Sequence, residues 1–354
     1  MKKIFQNILI SSGLKFSFRS DKEQLWDQVW EKLDYQGLRH SEEWAAYQRL
    51  YFQSQETELT DLSIVLMSKD GSTVARMPLD LVSVDGSLKI TSVGMDISYP
   101  CFIKTVSEND KKHISLALIK ALIELSRQLD IDELVFEIPP CISGYQSLEL
   151  TVWQITLAKL GCRTEVRNSL VIDLTKSLNE IRRGFRKSYK PLITSGLKAW
   201  HHSIMDSENS DEQIWESFKA LHFSSAGHRK TRSNQTWDIQ YNMIKQGTAV
   251  LICLFNPNDR RLIGGGFFQY TRQECIYAVG AYDRTMFAKP IGHVVQWLAI
   301  ERLKSIGIQH YIIGERFMPE RTPSVSDKEI SISHFKEGFT KSLFPNFVLR
   351  YLKT

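Results

Sequence analysis

The sequence predicts a mixed α/β chain, α+β in character, made of two tandem domains of one design. Two observations carry this. An amphipathic helix runs into a strand in "HISLALIKALIELSRQLDIDELVFEI" (113–138), and again in "PIGHVVQWLAIERLKSIGIQHYIIG" (290–314). Laid over each other, the two stretches keep register: Ile123 falls on Ile300, Glu124 on Glu301, Ile131 on Ile308 and Val135 on Ile312. The offset is 308 − 131 = 177, half of the 354 residues.

The upstream segments agree in kind. In the first half "LSIVLMS", "TVARMPLDLVSV" and "LKITSVG" read as short strands parted by "KDGS" and "DGS" turns. In the second, "TAVLICLF", "RLIGGGFFQY" and "ECIYAVGAY" follow the same plan, with "NPND" as a turn. A second helix, "SLELTVWQITLAKLG", closes the first half, and "VIDLTKS" reads as a strand leading to a helix cap. The domains expected are therefore 1–165 and 166–354, each a run of antiparallel strands, a helix and a further strand.

A content of 42% hydrophobic and 24% charged residues is that of a globular protein. The net charge of +5 argues against bulk nucleic-acid binding, so a basic function requires a local cluster. Five cysteines without CxxC or Cys/His spacing indicate a reducing compartment and no zinc or other metal site. The opening "MKKIFQNILISSGLKF" makes a poor signal peptide, and no later run approaches a membrane span, so a cytoplasmic location is expected.

Local clusters are present. "IRRGFRKSYK" places Arg182 with Arg186, and Arg183 with Lys187 and Lys190, at helical i, i+3 and i+4 spacing. Two rows of like charge call for an anion across them, such as a diphosphate or a tRNA phosphate; a solvated basic face is the plain alternative. "SAGHRKTRSNQTW" adds Arg229, Arg232 and Trp237 in an expected loop, where they would form the second side of an anion clamp. Asp283 in "GAYDR" and Glu315 in "IIGER" end expected core strands and are candidate proton acceptors, with His222 and His334 as further choices. Each also suits a turn or an ion pair. "GGG" (264–266) lies inside a strand and lacks the Lys-Ser/Thr of a phosphate loop; it suits a bulge or a close backbone approach.

Lys336, in "ISISHFKEGFTKSLFP", sits between Phe335 and Phe339. Lysine is rarely buried unpaired. Either its stem lies along apolar surface with the ammonium in water, or the charge is held inside for chemistry.

Strands, a helix and a strand, twice over, resemble tandem GNAT units, and in sequence order the chain is similar to the FemAB-like aminoacyl and acyl transferases. The stretches that carry the likeness are "HSEEWAAY", "VIDLTKSLNEIRRGFRKSYKPLI", "LHFSSAGHRKTRSNQTW", "YAVGAYDR" and "ISISHFKEGF", within about 35–352. The resemblance implies acyl transfer to an amine, in a chain without a tightly bound cofactor. An acyl-CoA or an aminoacyl-tRNA would be the co-substrate. It gives Lys336 the task of stabilising the oxyanion. In GNAT enzymes a glycine turn at a helix N-terminus holds the CoA diphosphate. The comparable turn here, Lys289-Pro290-Ile291-Gly292-His293-Val294, supplies Lys289 and Gly292 but ends in a β-branched residue. "ENDKKHIS" in the first half has no glycine, which makes the first domain a degenerate donor site and the second the active one. The expected function is an N-acyltransferase acting on a phosphate-bearing or lipid-linked precursor of the cell envelope or a polysaccharide. The alternative is a non-catalytic protein of the same fold that binds tRNA or a diphosphate.

Overall fold

The computed structural model describes residues 1–53, 57–84, 86–138, 150–227, 232–318 and 325–353. The chain divides into two compact units. The first comprises 1–40, 48–167 and 346–354; the second comprises 41–47 and 168–345. The dividing line thus falls at 167/168, but the C-terminal strand belongs to the first unit and a short early segment to the second.

The first unit opens with α1 (Lys2–Ser11), β1 (Lys15–Phe18) and α2 (Glu23–Glu31), and takes in the second half of α3 (Glu42–Gln53). The strands β2 (Glu58–Asp61), β3 (Ile64–Met67), β4 (Thr73–Met77), β5 (Asp80–Val84) and β6 (Ser87–Thr91) follow. Then come β7 (Ile97–Ser98), β8 (Cys101–Phe102), α4 (Glu108–Gln128), β9 (Glu133–Glu137) and α5 (Val152–Lys159). Strands β1-β3-β4-β8 form one sheet and β2-β5-β6 another. "TVARMPLDLVSV" is thus two strands in different sheets, parted at Pro78, which has no N–H for a ladder. The short β7 runs parallel to β9, pairing Ile97 with Phe136 and Ser98 with Glu137.

The strand β10 (Arg163–Asp173) leads into α6 (Leu178–Gly184), α7 (Tyr189–Ala199), β11 (His201–Met205), α8 (Glu212–Ser225) and α9 (Asn234–Lys245). Next come β12 (Ala249–Phe255), β13 (Leu262–Tyr270), β14 (Glu274–Tyr282), α10 (Ile291–Ser305), β15 (His310–Glu315) and α11 (Asp327–Glu337). β16 (Leu343–Leu352) closes the chain. In the second unit the strand order is β11-β12-β13-β14-β15-β10, antiparallel except for the parallel pair β14 and β15.

Local chemistry sets the helix starts. Thr151 with Gln154, Ser177 with Glu180 and Ser326 with Glu329 are reciprocal capping boxes that open α5, α6 and α11. The buried side of the second sheet is covered by α10, whose Val294, Val295, Leu298, Ala299 and Ile300 are all core residues. Gly264 and Gly266 of β13 let that helix lie close, because a Cβ there would run into Ile291 or Val295. The "GGG" run therefore serves helix–sheet packing, with Gly265 facing Phe218 of α8 on the other side. Burying such a helix face is worth about 25 cal/mol per Å² of apolar surface.

Candidate active site

The parallel pairing of β14 with β15 is short. It runs Glu274–His310, Cys275–Tyr311 and Ile276–Ile312, and then stops, although β14 continues to Tyr282 and β15 to Glu315. At this point β14 carries a bulge: Phe267 opposes Val279 and Phe268 opposes Tyr277, so Ala278 is the extra residue. Ala278 is exposed in the middle of an otherwise covered sheet. The two strands fork there.

Lys336 reaches this fork from α11. A Cβ on Gly314 would stand 2.5 Å from its Nζ, so the ammonium lies directly on the β15 backbone. Gly314 also has φ +153°, a conformation that glycine adopts readily and other residues rarely do. The Lys336 Nζ is 5.5 Å from the ring centre of Tyr277. Among the described residues no carboxylate lies within 4.0 Å of it and no hydrogen-bond partner is found. Its neighbour Glu337 is held by Arg316 at 3.2 Å and Arg186 at 4.0 Å instead. Burial pulls the Lys336 ammonium below the ordinary lysine value.

Behind the fork lies a hydroxyl network. Tyr277 and Tyr282 share a hydrogen bond of 2.7 Å, and Tyr311 donates to the Gln296 side chain. Burial raises the pKa of all three tyrosines, so they stay neutral hydroxyls. The "FKEGF" element has packing reasons beyond its lysine. Phe335 covers Gly292, Gly338 makes room for the Tyr189 ring, and Phe339 packs edge-on against Phe185.

The helix start expected to hold a CoA diphosphate is occupied differently. Gly292 lies in the first turn of α10, and a Cβ there would meet the Phe335 ring at 3.2 Å; the glycine admits an aromatic ring. The His293 ring sits 4.3 Å from Tyr189 and 5.0 Å from Phe335, and burial with the nearby Arg186 lowers its pKa to about 4. Lys289 is exposed.

Among the described residues, the expected clamp side chains have separate partners. Arg182 and Arg186 do not share a helix, because α6 ends at Gly184 and Phe185 is extended (ψ 152°) and buried. Arg182 donates to Thr194 at 2.6 Å and lies over Trp297. Arg186 donates to His334 and Tyr189. Trp237 is 0% exposed in the core of α8, α9 and the sheet, and Arg232, at 8%, stacks 3.6 Å from its ring and donates to Tyr47. Arg229 lies outside the described residues. Arg183 and Lys187 are exposed cations of this basic segment.

Asp283 is held in the turn that follows β14. Its carboxylate caps the turn through Thr285 N–H and Oγ1, pairs with Arg261 at 2.7 Å, and is held below the usual carboxylate range by those bonds. Glu315 ends β15 beside Gly314, half-buried, and opposes Ser169 of β10. No group of three or more His, Cys, Asp or Glu side chains able to hold a metal occurs among the described residues. No described helix is long and apolar enough to cross a membrane.

The internal offset places Glu137 at the position of Gly314 (137 + 177 = 314). Glu137 is 3% exposed and receives hydrogen bonds from Arg39 and Asn346. Its strand still pairs with β7 at this level, where β14 and β15 have parted. The first unit therefore has a closed pair and a buried ion pair where the second has an open fork and a lysine.

The forked parallel pair, the bulged strand and the duplicated arrangement define a tandem GNAT-fold protein. Among solved structures the chain is similar to FemX, with a TM-score of 0.64 and 13% identity over 96% of this chain and 97% of that one. It is also similar to L-PGS from Bacillus licheniformis, with a TM-score of 0.56 and 12% identity over 93% and 91% of the two chains. A tandem GNAT protein from the clavulanic acid biosynthesis pathway matches with a TM-score of 0.50 and 11% identity over 96% and 98%. No protein-family model and no curated protein sequence matches the chain.

Proposed function

We propose that the protein is an N-acyltransferase of the FemAB/GNAT type and that the fork of the second unit is its catalytic centre. The observation that carries this is Lys336, an ammonium laid on the Gly314 backbone where β14 and β15 part, with no counter-ion among the described residues. The donor is an acyl ester or thioester with its carbonyl in the fork. An acceptor amine attacks the carbonyl carbon, forming the C–N bond, and the carbonyl oxygen takes the charge facing Lys336. Collapse breaks the C–O or C–S bond, and the leaving oxygen or sulfur gains a proton as the amine loses one, with Glu315 as proton acceptor. A cation in a partly dry site acts far more strongly than one in water, and among the described residues no carboxylate competes for it.

The Phe335 ring on Gly292 favours an aminoacyl-tRNA donor over acyl-CoA. The acceptor would be a phosphate-bearing or lipid-linked envelope precursor, with Arg183 and Lys187 as its exposed phosphate contacts in a cytoplasmic enzyme. The first unit, closed by Glu137 and Arg39, would take no donor. Acylation of amine acceptors with aminoacyl-tRNA and acyl-CoA in parallel tests the reading. Transfer that vanishes in Lys336→Ala while donor binding persists supports it; binding without any turnover by the folded wild type refutes it.

A further inference from the structure

Phe287 is 76% exposed, more than any other large apolar side chain in the described residues. It stands in the turn between β14 and α10, the connection that leaves β14 at the forked end of the pair. The turn is tightly held. Asp283 accepts from Thr285 N–H and Oγ1, Met286 N–H bonds to the Asp283 carbonyl at 3.1 Å, and Lys289 N–H to that of Met286 at 2.8 Å. Arg284 donates to the Ser225 carbonyl and so ties the turn to the end of α8. A ring projecting from so fixed a backbone is presented to solvent by the fold.

Its neighbours along the turn are of one sign. Arg284 and Lys289 flank it, Ala288 beside it is exposed, and residues 284–290 contain no acidic side chain. Asp283, which opens the turn, is buried and paired with Arg261, which also meets the exposed Asp259 at 3.9 Å. An aromatic ring between cations fits a boundary whose interior is apolar and whose face is anionic.

We propose that the Asp283–Pro290 turn docks the protein on an anionic lipid surface, with Phe287 entering the headgroup boundary and Arg284 and Lys289 meeting lipid phosphates. Docking in this way would bring the forked end of β14 toward the membrane, where a lipid-linked amine would be met. That consequence rests on the catalytic reading above; the docking does not.

Vesicle co-sedimentation of the full chain tests the docking without any turnover. Binding is expected to vesicles containing phosphatidylglycerol, to weaken with added salt, and to be slight on phosphatidylcholine alone. Phe287→Ser should lower partitioning about tenfold or more, the scale set by withdrawing one aromatic side chain from an apolar phase. Lys289→Glu should lower it further and flatten the salt dependence. Both positions are exposed, so thermal melting should show both variants folded. No binding to anionic vesicles, or binding equal in wild type and Phe287→Ser, overturns the proposal. So does a loss of self-association in Phe287→Ser with vesicle binding intact, which would make the ring a protein contact.

Discussion

The Lys336 ammonium and the Gly314 Cα occupy one place: a single methyl on residue 314 would stand 2.5 Å from the nitrogen. Gly314→Ala should therefore displace Lys336 without touching its chemistry. The expected loss in kcat is about 10²–10³-fold, the scale of removing one oxyanion donor. Combined with Lys336→Ala, Gly314→Ala should cost little more activity, since the two act through one group. Steady-state kinetics of the four-member cycle check this; additive losses would separate the residues.

Lys336 should also cost the fold stability. Its ammonium is desolvated and has no carboxylate close by among the described residues, so burial depresses its pKa below 10.5. Between the folded value and 10.5 the unfolded chain holds more protons, so the folded state gains as pH rises through that window. Lys336→Met should then melt higher than wild type at neutral pH while losing turnover. The gain is about 1 kcal/mol, some 1–2 °C in a chain of this size, and should shrink as pH approaches 10.5. A lysine that merely covers apolar surface would show no such reversal.

Much of this architecture is legible in local sequence. The 177-residue offset aligns β9 with β15 and so sets Glu137 opposite Gly314, the contrast between the two units. Capping signals at Ser177 and Ser326 mark helix starts without reference to anything distant. The partners of the expected clamp residues are non-local. Phe185 leaves the helix to bury itself against Trp297 and Phe339, which are 112 and 154 residues away (297 − 185 and 339 − 185). Arg232 looks like a loop cation until Trp237 and Tyr47 are brought beside it. Asp283 reads equally as base or turn cap, and only Arg261 and Thr285 decide. The role of Phe335 over Gly292 has no signal in the glycine turn itself.

Arg232 and Trp237 should therefore act on stability. Trp237→Ala removes a fully buried ring from a cluster with Trp215, Phe218 and Phe267, and should cost about 3–5 kcal/mol. Arg232→Met keeps the stem but loses the guanidinium over the ring and the bond to Tyr47, a smaller loss of about 1–3 kcal/mol. Urea melts check both. If either variant kept wild-type stability and lost only substrate affinity, the residue would belong to the ligand.

His293 gives the second unit an acid sensitivity of predictable sign. Burial first, and the Arg186 charge second, lower its pKa from 6.5 to about 4. As pH falls through this window the unfolded chain takes up a proton that the folded ring, set between Tyr189 and Phe335, resists. Stability contributed by the neutral ring is complete above pH 6.5 and is lost progressively down to about pH 4. Wild-type Tm should thus fall more steeply over that range than the Tm of His293→Gln, which cannot titrate. His40 is lowered to about 3 in the first unit and adds a similar slope to both proteins, so the difference between the curves isolates His293. Parallel curves would mean that the ring protonates in the folded chain as freely as in the unfolded one.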